Sequence, residues 1–449
     1  MKPLKIGIGG VRGVVGETFT PELIVGFAEA FGTYLGPGRV LVCRDTRPSG
    51  PMVLPAVVAG LLATGCDVVD LGICPTPSLQ LATTWMGADG GISITAGHNP
   101  SPWNALKFVR RDGRYLTADQ VEELLDIYHQ GRFEKAGWDT IPTRVEPAEA
   151  ISHHLDVLSA AFPADRAGSR RLAVAVDCCN GSCSLLAPRW LERLGCEVLA
   201  INDDPDAPFP HTPEPRPETA AQVRAVVKAG RADLGLVHDA DGERLSLVDE
   251  TGRALSEEMT LALCAEIALG GRVGPVVTNL STTMAIDRIA ERHGATVVRT
   301  PVGQPFVSEA IVEHGAVIGG EGNGAVAVPR VQATHDSAAA TGLIVSYLAA
   351  TGERLSDAVA RLPRTAMLKE RIAIEPGAIF SALQDYRVAV QDEPATSVDL
   401  ADGVKVVFAD GWVHVRASNT ESMIRLIAEA ETADRAAELM DWGRDRLRR

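Results

Sequence analysis

Carboxylates, hydroxyls and cations recur in this chain in four short runs, each set beside an apolar, strand-like stretch. The run Asp239-Ala240-Asp241-Gly242-Glu243-Arg244 follows the apolar segment Leu234–His238. Alternate carboxylates in a tight turn can converge on one hard cation, and oxygen donors that leave room for phosphate suit Mg2+. Arg244 stands ready to hold phosphate or balance charge. The longer acidic ladder of a Ca2+ loop is absent, and an acidic surface turn would have the same composition. Arg416-Ala417-Ser418-Asn419-Thr420-Glu421 offers a guanidinium fork, hydroxyls and amides to an anion, with Arg425 close behind. A polar turn between two strands is its bland counterpart. In Gly319-Gly320-Glu321-Gly322-Asn323-Gly324, glycines let a ligand approach the backbone. Glu321 and Asn323, two residues apart on one side of an extended loop, suit hydroxyl groups. Thr95-Ala96-Gly97-His98-Asn99-Pro100 carries His98 into a turn with Lys107 downstream, a pairing suited to anion chemistry. Gly9-Gly10-Val11-Arg12-Gly13 adds Arg12, and Arg44-Asp45-Thr46-Arg47 reads as a salt-linked supporting turn.

Parallel α/β units would place such runs at strand ends, where open sheets bind ligands. Val40–Arg44 and Gly91–Thr95 read as buried strands; Pro21–Tyr34 and Met52–Thr64 have helical apolar spacing. The rhythm repeats through Leu172–Asp177, Ser184–Leu194, Glu197–Ile201, Glu218–Lys228 and Leu234–His238. A third series runs from Leu255 through Pro275–Asn279, a helix from Thr283, Thr296–Thr300, a helix from Pro305, and Ala316–Gly319. The tail differs: strands Leu368–Ile374, Val404–Phe408, Trp412–Ala417 and Met423–Glu429 imply an antiparallel sheet, with helices Gly377–Tyr386 and Thr432–Arg446 on one face. Pro147, Glu250-Thr251-Gly252 and Pro363 suggest domains at 1–148, 149–254, 255–366 and 367–449.

At 449 residues the chain exceeds one hydrophobic core. A formal charge of −15 argues against nucleic acid or an anionic membrane as a general partner, so an anionic ligand needs locally concentrated Arg and Lys. No long apolar run or signal-peptide stretch is evident, and the cytoplasm is the expected compartment. Of eight cysteines only Cys178, Cys179 and Cys183 cluster, and without neighbouring histidines they read as buried thiols of a reducing compartment.

With these motifs in this order, the chain resembles the α-D-phosphohexomutase superfamily, which includes phosphoglucomutase, phosphomannomutase and phosphoglucosamine mutase. Gly10-Val11-Arg12-Gly13, Gly97–Pro100, the acidic loop, Gly319–Gly324 and Arg416–Ser422 carry the resemblance over nearly the whole length. Pro75-Thr76-Pro77, Pro213-Glu214-Pro215 and Thr300-Pro301-Val302-Gly303 support it. The resemblance implies four domains around a central cleft, three similar α/β domains and a C-terminal antiparallel α+β domain. It implies interconversion of 1-phospho and 6-phospho hexoses through a bisphosphosugar, with phosphoryl transfer from a phosphoserine assisted by Mg2+. Carried onto this sequence, Asp239, Asp241 and Glu243 would bind Mg2+, and Arg12, His98, Lys107 and Arg244 would surround the transferring group. Glu321 and Asn323 would read sugar hydroxyls. Arg416, Ser418, Asn419, Thr420 and Arg425 would hold the distal phosphate. The partner would be a small phosphosugar, a hexose 1,6-bisphosphate could act as activator, and the protein would be a monomer or homodimer.

The departures from the family pattern matter most. Gly97 stands where the motif T-A-S-H-N-P has its serine, and glycine carries no nucleophile. Glu243 replaces the third aspartate, and Gln304 follows Thr300–Gly303 where some members have a proton-transferring residue. His335-Asp336-Ser337 stands where Arg-Asp-Gly or similar is common. Ser93, Thr95 and Ser101 are the nearby hydroxyls. A shift of two residues along a strand displaces a group by roughly 6–7 Å, too far for in-line transfer. Two functions therefore stand: a phosphohexomutase lacking its serine, and a non-catalytic phosphosugar-binding or regulatory paralogue. The Trp103–Lys107 continuation leans toward the phosphoglucosamine/phosphomannose branch by analogy.

Overall fold

Apolar β-branched runs pair into four sheets in the computed structural model, which describes residues 4–142, 144–163, 170–391, 393, 395–418 and 423–447. The first sheet has seven strands, with Arg39–Arg44 paired in parallel to both Asp67–Ile73 and Gly90–Ile94. Trp103–Arg110 and Gly10–Val14 extend it antiparallel, in a register that sets Ser93 opposite Lys107 and Arg12 opposite Ala105. Helix Pro21–Leu35 starts at a Thr20 cap with proline in its first turn, and it ends before Gly36. It packs on one face of the sheet with Gly50–Ala63 and Ala118–Gln130, while Thr76–Trp85 covers the other.

The second sheet pairs Ala173–Asp177 in parallel with Glu197–Ile201 and Leu234–His238. Leu245–Asp249 then folds back on Leu234–His238, so 239–244 is a hairpin turn. The third sheet is built alike: Val276–Asn279 is parallel to Val297–Thr300 and Ile318–Glu321, and Ala325–Ala327 returns antiparallel. The fourth is a five-stranded antiparallel sheet, with Ile379–Ala389 and Ala433–Leu447 packed together on it. The protein therefore has three α/β domains and a C-terminal antiparallel one. One apolar cluster runs from Leu41 and Leu79 through Trp190 and Leu236 to Leu261 and Ile344, across the first three domains, whereas the fourth has its own around Tyr386, Val413 and Leu439. Among the described residues, no helix is long and apolar enough to cross a membrane.

Two expected elements differ. The helix expected over 184–194 is a 3-10 turn, Ser182–Leu185, followed by helix Ala187–Arg193, because Pro188 lacks the N–H that a continuous helix needs and starts a new one instead. Gly319, Gly320 and Glu321 belong to strand Ile318–Glu321 rather than to the loop after it.

Candidate active site

The hairpin turn 239–244 organises the site. Asp239 Oδ1 accepts the N–H groups of Glu243 and Arg244, at 2.9 and 3.0 Å, so its carboxylate closes the turn. Thr76 N–H donates to the Asp241 carbonyl at 2.9 Å, and the Thr76 hydroxyl to Asp241 Oδ2 at 3.3 Å. The Pro75-Thr76-Pro77 motif thereby fastens the first domain to this turn. On the far side, Leu245 N–H donates to the Gly324 carbonyl, joining the turn to the third domain.

Three carboxylates and one ammonium share the centre. Lys107, almost fully buried, places Nζ 2.6 Å from Asp241 Oδ2 and 2.7 Å from Glu243 Oε2. Burial opposes its charge, yet Asp241 and Glu243 outweigh it and raise its pKa. Burial raises Asp239 well above the usual carboxylate range, reinforced by Asp241; Asp241 itself is lowered against burial by Lys107. Tyr115 Oη donates to Glu243 Oε1 at 2.6 Å. With its amide set to satisfy both neighbours, Gln304 donates to the same Oε1 at 2.8 Å and accepts the His335 N–H at 3.0 Å. Among the described residues, no group of three His, Cys, Asp or Glu side chains stands arranged to hold a metal ion. Asp241 Oδ1, however, is buried and accepts no hydrogen bond from the described residues, an acceptor that a cation could satisfy.

Gly97 sits directly across from this turn. Its backbone is left-handed (φ +55°), and a Cβ built on it would lie 3.4 Å from Asp241 Oδ2, in ordinary contact. The Gly97 loop is held by an arginine whose role the sequence did not reveal. Arg47 is fully buried and donates to the carbonyls of Gly97 and Asn99 at 2.7 Å, Pro100 at 2.8 Å and Trp103 at 3.1 Å. Asp45 anchors it at 2.9 Å, so the salt-linked turn is there, but it supports the Gly97 loop. Only the Arg-Asp spacing hinted at this. Two of the nearby hydroxyls are committed: Thr95 donates to Asp45 and accepts the Gly97 N–H, and Ser93 bonds Thr76. Ser101 is exposed beyond the turn. His98 is held well below the usual imidazole pKa by burial and by Arg244, Arg12 and Lys107, so it is neutral at pH 7.

A cavity of about 730 Å³ opens among the domains. Its lining includes the cations Arg12, Lys107 and Arg244 with His98, and also Glu243, Gln304, Glu321 and His335. Glu321 is buried, with Oε1 accepting from Asn279 at 2.7 Å and from the Gly303 N–H at 2.9 Å. Asn323 lies outside the lining and folds back to donate to Glu321 at 3.4 Å. The fourth domain reaches the cavity through Asp402, whose carboxylate accepts from Arg416 Nε at 2.9 Å and from the Val302 N–H at 2.9 Å. Arg416 is buried and paired in register with Arg425 across the strands Gly411–Ala417 and Met423–Ala430, and Ser418 N–H closes their turn on the Met423 carbonyl. Arg416, Ser418 and Arg425 are not in the lining; Asn419 and Thr420 lie outside the described residues.

Models of the four phosphoglucomutase/phosphomannomutase domains match in turn: alpha/beta/alpha domain I over 3–135, domain II over 152–252, domain III over 256–366 and the C-terminal domain over 374–442. The chain belongs to the phosphoglucomutase/phosphomannomutase family. It is 37% identical to a phosphoglucomutase/phosphomannomutase of Thermococcus kodakarensis, covering 97% of both chains. It is 38% identical to a probable phosphoglucosamine mutase of Methanopyrus kandleri, over 99% of this chain and 97% of that one. A crystal structure of a phosphoglucomutase/phosphomannomutase family protein from Burkholderia thailandensis superposes with a TM-score of 0.87 at 28% identity, covering 98% of this chain and 96% of that one. In this chain Cys178, Cys179 and Cys183 are buried thiols beside the second sheet. Asp177 accepts from His211 at 3.1 Å; despite partial burial, this partner and Cys179 raise the His211 pKa to about 11.

Proposed function

We propose that this chain binds 1- and 6-phosphorylated hexoses (glucosamine, mannose or glucose) on a phosphohexomutase scaffold, and that its phosphoryl relay is interrupted at Gly97. The carrying observation is the direction of residue 97. A side chain there would point at Asp241, the carboxylate that Lys107 binds, yet glycine supplies none, and the hydroxyls of Ser93 and Thr95 are committed elsewhere. Arg12, Lys107 and Arg244 hold a phosphoryl group in the cavity through charge-assisted hydrogen bonds. His98, neutral, can donate one hydrogen bond to a phosphate oxygen without adding charge. Glu321 accepts from a sugar hydroxyl, and the Arg416–Thr420 loop with Arg425 takes the distal phosphate.

Asp239 and Asp241 have the donor chemistry for Mg2+, and the unpartnered Asp241 Oδ1 supports that assignment. Glu243, held by Lys107, Tyr115 and Gln304, would join them only by giving up some of these partners. The ion, when bound, would neutralise charge on a phosphoryl oxygen. A hexose 1,6-bisphosphate is the ligand that would carry its own phosphoryl group toward the acidic turn that Gly97 faces.

Titration calorimetry of the full chain with glucosamine, mannose and glucose 6-phosphates in Mg2+ tests this reading. Saturable binding is expected. No heat from any of them at millimolar ligand overturns it, and turnover by the unaltered protein would overturn the interrupted relay alone.

A further inference from the structure

Two departures from the family pattern meet at one atom. Glu243 Oε1 accepts from the Gln304 amide at 2.8 Å and from Tyr115 Oη at 2.6 Å, and Glu243 Oε2 accepts from Lys107 Nζ at 2.7 Å. These donors come from two other domains. Lys107 lies on strand Trp103–Arg110 of the first, Tyr115 follows that strand, and Gln304 opens helix Gln304–His314 of the third. All three are buried. Glutamate, one methylene longer than aspartate, carries its carboxylate further from the turn to meet them.

The two aspartates of the turn are engaged differently. Asp239 uses Oδ1 alone for the N–H groups of Glu243 and Arg244. Asp241 takes Lys107 and the Thr76 hydroxyl on Oδ2, and its Oδ1 has no hydrogen-bond partner among the described residues. Each aspartate thus has an oxygen outside these bonds, whereas both oxygens of Glu243 are engaged. Moving Glu243 onto an ion would strand a buried hydroxyl and a buried amide and take one of two carboxylates from a buried ammonium, and each of these losses is costly. In keeping with this, the three acidic side chains of the turn do not converge as a three-ligand set.

We propose that the Mg2+ site of this chain is built on two carboxylates, Asp239 and Asp241, and that Tyr115, Gln304 and Lys107 withhold Glu243 from the ion, using it instead to join the three α/β domains. This rests on the reading of Asp239 and Asp241 as Mg2+ ligands above. Mg2+ is commonly held by one or two carboxylates and completes its shell with water and phosphate oxygens. With one protein ligand fewer, more of that shell is left to a phosphosugar, so ion and phosphosugar each raise the affinity of the other.

Mn2+, which takes the same oxygen ligands, is the probe. Its affinity and its number of coordinated waters should be measured by pulsed EPR in light and heavy water on the full chain. The proteins compared are wild type, Glu243→Gln, Asp241→Asn, and a double variant carrying Tyr115→Phe and Gln304→Ala. Wild type and Glu243→Gln should hold the same number of waters. Asp241→Asn should weaken binding by at least about tenfold, the loss that even an outer-shell partner brings. The double variant should hold one water fewer, because the released Glu243 reaches the ion. One more water in Glu243→Gln than in wild type would place Glu243 on the ion and overturn the inference while leaving the Mg2+ reading intact. An unchanged water number in the double variant would likewise overturn the withholding of Glu243. Absence of Mn2+ binding by wild type at millimolar ion, or unchanged affinity in Asp241→Asn, would overturn both.

Discussion

Gly97→Ser separates the scaffold from the chemistry. The substitution puts a side chain on left-handed backbone (φ +55°), which costs a non-glycine residue roughly 1–2 kcal/mol. Space is not the obstacle, because the new Cβ meets Asp241 Oδ2 at 3.4 Å. A drop in thermal midpoint of about 2–4 °C per kcal/mol is therefore expected, not unfolding. The hydroxyl gained faces the acidic turn. Phosphorylating it adds about two negative charges, and each costs on the order of 4 kcal/mol against a carboxylate 4 Å away at an effective dielectric of 20. Lys107, Arg12 and Arg244 offset part of that, and a divalent cation must offset the rest. Incubation with glucose 1,6-bisphosphate should thus add one phosphoryl group to Gly97→Ser in intact-mass measurements, with Mg2+ and not with chelator, and phosphorus NMR should show 1-phosphate and 6-phosphate interconverting. Wild type should do neither. A Gly97→Ser protein that folds and binds bisphosphate yet neither accepts phosphate nor turns over would refute the reasoning.

Two further outcomes follow from buried charge. Arg47→Met leaves Asp45 without its ion-pair partner and removes the Arg47 donor from four carbonyls, a loss of about 3–5 kcal/mol; unchanged denaturant stability would contradict the role given to Arg47. Glu258, buried, has its pKa raised to about 7 by burial, against the opposing pull of Lys369. The folded protein therefore keeps a proton that the unfolded chain releases from the ordinary value of 4.5 upward, so stability falls as pH climbs from about 4.5 to 7. Glu258→Gln, neutral throughout, should flatten that slope in urea melts; an unaltered slope would show that Glu258 does not titrate there.

Elements whose apolar residues carry a clean period were legible in the sequence: helix Pro21–Leu35 and strands Arg39–Arg44 and Leu234–His238 lie within a residue or so of where spacing puts them. Strand Trp103–Arg110 was not, because it buries Asn104 and Lys107 and so breaks the apolar run. The acidic turn, Arg12, His98, Lys107, Arg244 and Glu321 could be nominated from residue type and strand-end position. Arg47 could not, since its acceptors are carbonyls about fifty residues away. Nor could the Tyr115 hydroxyl on Glu243, a contact 128 positions apart. Chemistry written into neighbouring residues is readable, whereas contacts made only by folding are not.

The apolar cluster that links the first three domains does not extend into the fourth, which keeps its own core, so the fourth domain and the rest form two units that can open separately. Thr283 and the Met284 N–H meet Glu429 at the seam, and Lys405 reaches the Leu280 carbonyl. These are polar contacts, strong when made and easily traded for water. A ligand that touches both Arg244 and Arg416 would spend part of its binding energy joining the two units, so its affinity reports the cost of that joining as well as the fit of the sugar.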